Sequence, residues 1–340
     1  MHSNRILSFA FLAIVWLGFC HGKSVLGQVI FANNFEDDPL GQYSANNLDA
    51  DWNTPPFSNG VDEGRVSIVT DNGSKVLAVA YPEGLFGSSD SATGSQWILE
   101  FDQGYEAVEL EYRVKFRAGF DFVRGGKLPG LTGGTANTGA NRPDGTDGFS
   151  ARMHWRTDGS AGSQLSSDQA NITAYLYHPD QPTDFGEDFR FDDGPDGQWQ
   201  AFESDRWYRI RQQVFMNTPG QNDGVVKAWL DGVQVMQLDN IRFRDTANLQ
   251  IDSMYFSTFF GGGSPIWATT KDEVAFFDDF EITVIRSLGD INQDNAVDFL
   301  DISPFIGLLS NGIYQAEGDL DGSGAVDFLD ISPFISLLSQ

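Results

Sequence analysis

The sequence has 340 residues, a formal net charge of −27 and one cysteine. So acidic a chain is repelled by nucleic-acid phosphates, and a lone cysteine excludes a disulfide-held fold, leaving core burial and bound ions to hold an exported protein together. The length suffices for one large domain and a small one.

In chain order, Arg5 precedes an apolar run from Ile6 to Phe19, which is too short for a stable bilayer anchor. Small and polar residues follow, around the single Cys20. Residues 1–27 therefore read as a secretory signal, with Val25, Leu26 and Gly27 as the cleavage region and a cut after Gly22 as the alternative, and the mature protein is expected to be secreted or held at the cell surface. No later stretch is apolar enough to span a membrane.

Residues 28–286 are written in short alternating segments, rich in aromatic and β-branched residues and separated by Gly, Asp, Asn and Pro. That pattern predicts an antiparallel β-sandwich of jelly-roll type. Tyr112, Val114 and Phe116 share one strand face, opposite Arg113, Lys115 and Arg117. Phe149, Ala151, Met153 and Trp155 alternate with Ser150, Arg152, His154 and Arg156, and Ile172, Ala174 and Leu176 with Thr173, Tyr175 and Tyr177. Further strands are expected over 207–215, 225–230, 254–260 and 274–285. The 30–35 and 276–285 segments are expected to pair. No amphipathic helix is expected before Leu288, and 118–148 and 178–205 read as long loops, which commonly carry function.

Charge is unevenly spread. Between Arg113 and Arg156 eight Lys or Arg face only three Asp (Asp121, Asp144, Asp147), a basic island in an acidic chain. Four motifs fall in or near this domain's polar strands: Gly125-Gly-Lys-Leu-Pro-Gly-Leu131, Gly148-Phe-Ser-Ala-Arg-Met-His-Trp155, Ala174-Tyr-Leu-Tyr-His178 and Phe259-Phe-Gly-Gly-Gly263. If the second and third are neighbouring strands, Ser150, Arg152, His154, Tyr175 and Tyr177 form one polar face, with Lys127 reaching over it from a Gly-rich loop. Such a face suits β-elimination from a uronic acid. An arginine fork neutralises the C6 carboxylate, and Lys or Tyr groups exchange the C5 and O4 protons. Hydrolysis would instead need two placed carboxylates, and the motifs contain none.

On these motifs the chain resembles polysaccharide lyase family 14, a jelly-roll family that cleaves alginate or glucuronan-type polyuronates, over most of 29–285. The resemblance implies an active site lined by Lys127, Ser150, Arg152, Tyr175 and Tyr177, with the lysine and the tyrosines moving protons and no metal in the chemistry. His154, Trp267 and Lys271 are further candidates for substrate contact. Two other readings stay open: a non-catalytic module binding acidic polysaccharide, and an extracellular scaffold or adhesion protein.

After Arg286 there is no Lys or Arg, and Asp290–Asp301 recurs twenty-nine positions later as Asp319–Asp330, each copy running into Ile-Ser-Pro-Phe-Ile. Calcium takes six to eight oxygens, and a twelve-residue loop can offer them from positions 1, 3, 5, 7, 9 and 12. The expected ligands are Asp290, Asn292, Asp294, the Ala296 carbonyl, Asp298 and Asp301 in the first copy. In the second they are Asp319, Asp321, Ser323, the Ala325 carbonyl, Asp327 and Asp330. Ser303 and Ser332, each followed by proline, read as helix N-caps. The plan of loop then helix over 289–340, with Asp at position 12, resembles a type I dockerin module. That resemblance implies structural Ca2+ and a cohesin-like or cell-surface partner. Asn295 stands where glycine is expected, and Ser323 is a neutral ligand.

Overall fold

A computed structural model describes residues 25–339 except 89–92, 158–168, 191–200 and 294–296. Residues 1–24 of the expected signal and the expected ligands Asp294 and Ala296 lie outside the described residues. The chain enters through β1 (Val25–Asn33), β2 (Gly41–Gln42), helix α1 (Ala45–Asp51), β3 (Ser58–Asn59), β4 (Val66–Asp71) and β5 (Ser74–Tyr81). Longer strands follow: β6 (Ser95–Tyr105), β7 (Ala107–Phe116), β8 (Gly125–Gly134), β9 (Gly148–Arg156) and β10 (Gln169–Tyr177). Then come β11 (Glu187–Arg190), β12 (Ala201–Glu203), β13 (Trp207–Phe215), β14 (Gly224–Leu230), β15 (Val233–Ile241), β16 (Ile251–Phe260) and β17 (Glu273–Ser287).

These strands form two antiparallel sheets of a β-sandwich. One runs β15-β14-β13-β7-β17-β5-β4-β2, with β1 on β17, so the first and last strands of the domain pair as their patterns suggest. The other runs β11-β10-β9-β8-β16-β6-β3, with β12 on β10. Period-2 alternation builds the core between the sheets. Tyr112, Val114 and Phe116 of β7 bury the face opposite Arg113, and Met153, Trp155, Ile172 and Leu176 bury theirs from β9 and β10. Trp97 and Phe256 stack at 3.9 Å across β6 and β16. Each large side chain removed from water here contributes about 1.5–3 kcal/mol.

Three features depart from the expectation, the first being that the 178–205 stretch, expected as a loop, holds β11 and β12, both paired with β10. A seven-residue helix, α1, precedes residue 288; it is too short to show a 3.6 period and is held by the Ser44–Asn47 capping box. The 118–148 stretch also contains β8, a central strand between β9 and β16. Its Gly-Pro text hid it. Pro129 sits where the β8–β9 register shifts between Leu128 and Gly130, a bulge that needs no N–H from proline. A Cβ on Gly130 would lie 2.2 Å from the Ala151 carbonyl oxygen, and one on Gly126 would lie 2.0 Å from the Trp155 ring.

The contacts divide the chain into two compact units, Gly27–Arg286 and a second that contains Ser287–Gln340. In the latter, α2 (Ile302–Asn311) and α3 (Ile331–Leu338) bury Phe305 and Phe334, stacked at 4.3 Å, with Ile291 and Leu308. The two loops fold alike. Asp301 Oδ1 accepts from the N–H groups of Ile291 and Asn292 at 2.7 and 2.9 Å, and Asp330 Oδ1 accepts from Leu320 and Asp321 at 2.7 and 3.0 Å. Ser303 and Ser332 are not the caps. Asp298 and Asp327 accept from the N–H of Leu300 and Leu329, which starts the turn earlier and places Asp301 and Asp330 at the helix caps. The prolines then fall in first turns, whose N–H groups have no helical acceptor.

Candidate active site

Strand register assembles a polar face on the second sheet, on the side away from the core. On β9 and β10, His154 stands opposite Thr173, Arg152 opposite Tyr175 and Ser150 opposite Tyr177. On the other flank Lys127 of β8 pairs with His154, and β16 adds Tyr255 and Ser257. Lys127 is thus a buried strand residue and not a loop residue, and Tyr177 is likewise buried. The basic island does not act as one patch. Arg113 and Lys115 lie on β7 in the other sheet, paired with Asp279 and Asp71 at 3.1 and 3.0 Å. Lys127, Arg152 and Arg156 are the island's members that gather with the polar face.

Arg152 is 2% exposed, and no carboxylate pairs with it among the described residues. Its Nη1 donates to Ser257 Oγ at 3.3 Å, and its Nε has no acceptor among the described residues. The rings of Tyr255, Tyr175 and Tyr177 lie 5.4, 5.8 and 5.9 Å from its guanidinium carbon. Gln96 accepts from Tyr255 and Ser257, at 2.6 and 3.3 Å, and so fixes both neighbours.

Lys127 Nζ lies 2.8 Å from His154 Nε2 and 4.0 Å from the Tyr175 ring centre. Asp188 of β11 takes His154 Nδ1 at 2.8 Å and both Nε and Nη2 of Arg156, at 3.0 and 2.8 Å. Burial, then the charges of Arg156 and Arg152, push the Lys127 amine well below its usual range. Burial, then the Lys127 charge, does the same to His154, which stays neutral. Burial works against the Asp188 anion, but His154 and the permanently charged Arg156 outweigh it and hold the carboxyl below its usual range. Tyr175 is pushed up by burial and by Tyr177, whose hydroxyl lies 3.4 Å from its own. Tyr177 OH also donates to the Gly139 carbonyl at 2.6 Å. The face therefore offers one unpaired cation, an amine poised to be neutral and a phenol that keeps its proton.

The remaining candidates are placed differently. Ser150 is fully buried and donates to the Asn137 carbonyl at 2.8 Å. His154, expected against substrate, is also fully buried, with both ring nitrogens engaged behind Lys127. Trp267 flanks the site, with Arg156 and Arg124 4.9 and 5.8 Å from its ring. Lys271 is not gathered with the face: its Nζ donates to the Gly119 carbonyl at 2.6 Å and faces Glu273 at 3.5 Å. Asp188, Gln96, Tyr255 and Ser257 were not singled out from sequence. Alternation against Met254 and Phe256 could have found Tyr255 and Ser257; nothing local marks Asp188 or Gln96.

A cleft of about 560 Å³ lies against the other sheet, but Glu36, Asp38, Asp51, Glu111, Asp279 and Glu281 line it. Its acidity would repel a polyanion. In the C-terminal unit, Asp319, Asp321 and Asp330 each bring a carboxylate oxygen within 4.8 Å of the others.

Residues 69–280 match the family described as Polysaccharide lyase 14. Among solved structures, the chain is similar to alginate lyase Aly36B, at 25% identity and a TM-score of 0.61 over 74% of this chain and 95% of that one. A double variant of that lyase in complex with an alginate trisaccharide matches at 25% identity and 0.63, over 75% and 98%. The marine PL-14 alginate lyase from Aplysia kurodai matches at 25% identity and 0.62, over 75% and 98%. No curated protein matches.

Proposed function

The chain belongs to the polysaccharide lyase 14 family, and from that premise we propose that it is a secreted lyase that cleaves a polyuronate of alginate or glucuronan type by β-elimination. The observation that carries this reading is Arg152, a buried guanidinium with no counter-charge among the described residues, on a face that holds proton carriers. A buried unpaired charge is costly, and a substrate carboxylate is the group that would complete it. The alginate lyases to which the chain is similar support the substrate class.

In the proposed reaction Arg152 pairs with the C6 carboxylate, which makes the C5 hydrogen more acidic. Lys127, as a neutral amine, removes that proton. The C5–H electrons form the C4–C5 double bond, the C4–O4 bond breaks, and O4 leaves with a proton from the Tyr175–Tyr177 pair. Lys127 suits the base because its site keeps the amine neutral, and Tyr175 can serve as the acid because its site keeps the phenol protonated until O4 departs. Ser150 supports this face from behind through Asn137, and the sandwich is read as a jelly roll with this face as the binding surface for an extended chain.

The 289–340 segment is proposed as a calcium-stabilised, dockerin-like unit for a cohesin-like or cell-surface partner. The converging carboxylates of Asp319, Asp321 and Asp330 fit a hard cation, and Asp290, Asn292, Asp298 and Asp301 would serve the first loop. Phe299 and Leu300, 77% and 65% exposed, recur as Phe328 and Leu329, 80% and 67% exposed, an apolar pair available to a partner from each copy.

The test is incubation of the purified protein with polymannuronate, polyguluronate, glucuronan and a neutral glucan, following ultraviolet absorbance of the new double bond. Absorbance is expected on at least one polyuronate and none on the glucan. Binding without product would favour the non-catalytic module instead.

A further inference from the structure

We propose that Asp188 is a positioning residue for the elimination, one that fixes His154 as its Nδ1–H tautomer and thereby turns the Lys127 lone pair toward the substrate; this rests on the lyase reading above. Asp188 Oδ2 takes the Arg156 fork, and Oδ1 takes Thr173 Oγ1 at 3.1 Å and His154 Nδ1 at 2.8 Å. A carboxylate in that position only accepts, so the shared hydrogen sits on Nδ1 and Nε2 is bare. Lys127 Nζ, 2.8 Å from Nε2, must then donate an N–H to it. A neutral amine has one lone pair, and with an N–H aimed at the imidazole that lone pair points elsewhere, toward the face shared with Arg152. The ring is fully buried, so its tautomer is set by these protein partners and not by hydrogen bonds to solvent. The charged and titratable groups facing Lys127 are Arg152, His154 and Arg156 from β9, Tyr175 from β10 and Asp188 from β11. Its β16 neighbour, Phe259, is uncharged.

A plain counter-ion for Arg156 would account for two of the Asp188 contacts, and Asp188→Asn separates the two roles. Arg156 can only donate, so the amide must turn its oxygen to Arg156 and its NH2 to His154 Nδ1. Nδ1 then accepts, the ring proton moves to Nε2, and that N–H occupies the Lys127 lone pair. The experiment combines steady-state kinetics on a polyuronate with NMR of protein carrying nitrogen-labelled histidine. In the wild type, His154 is expected with hydrogen on Nδ1 alone; in Asp188→Asn, on Nε2. The variant's kcat should fall at least ~100-fold, with KM within about threefold. A wild-type His154 protonated on Nε2 overturns the proposal, and this holds even if the variant does not fold. So does an active wild type whose folded variant keeps kcat within about threefold. A wild type that makes no unsaturated product overturns the lyase reading itself, and this role with it.

Discussion

Removing an arginine from water without a counter-charge costs several kcal/mol, and the cost is retained where the missing charge is delivered by a ligand. Arg152→Met should therefore abolish detectable elimination while raising stability by about 1 kcal/mol or more, read as a higher thermal midpoint without substrate. A structural arginine would give the opposite sign. At Lys127 the base must be neutral, so kcat/KM should rise as pH rises through the lowered lysine pKa and then level. Arg156→Gln removes one of the charges that lower it, so the rising limb should move to higher pH in a pH–rate profile. Arg152, Tyr175 and Tyr177 were legible because strand alternation places them on one face. His154 was visible as a polar residue of that face, but not its engagement from behind, because Asp188 lies thirty-four positions away on a different strand.

At the scale of elements, β8 shows where sequence pattern and fold part. Gly125, Gly126, Pro129 and Gly130 have the composition of a loop, yet packing makes this stretch a central strand: glycine is needed where the β9 backbone and Trp155 come close, and proline is accommodated by a bulge. Propensity describes isolated backbone, and here the neighbours decide. Gly130→Ala should cost about 3 kcal/mol or more, because the new Cβ meets backbone rather than a mobile side chain. Thermal unfolding would show the loss, and kcat should fall with it as Lys127 shifts against His154. The sandwich itself was readable because most of its strands alternate cleanly, whereas α1 was not, having two turns and no apolar stripe.

On the proposed reading, the molecule as a whole separates chemistry from attachment. Two compact units divide near Arg286, the point where Lys and Arg vanish from the sequence. In calorimetry of the full chain, a calcium chelator should lower the transition of the C-terminal unit and leave the sandwich transition and the lyase rate unchanged. The duplicated acidic loops made that unit legible; its helix starts were not, because Asp298 and Asp327 start the turn before the serines and leave Asp301 and Asp330 at the caps. The central claim is that bonds break by elimination at the Lys127–Arg152 face, and product analysis in heavy-oxygen water tests it most directly. Elimination moves no solvent oxygen into the product, so mass spectrometry of promptly quenched samples should show unsaturated oligouronates one water lighter than hydrolysis products and free of label, before the new hemiacetal oxygens exchange with solvent. Saturated products that carry the heavy oxygen, or unsaturated products formed equally fast by Lys127→Ala, would contradict it.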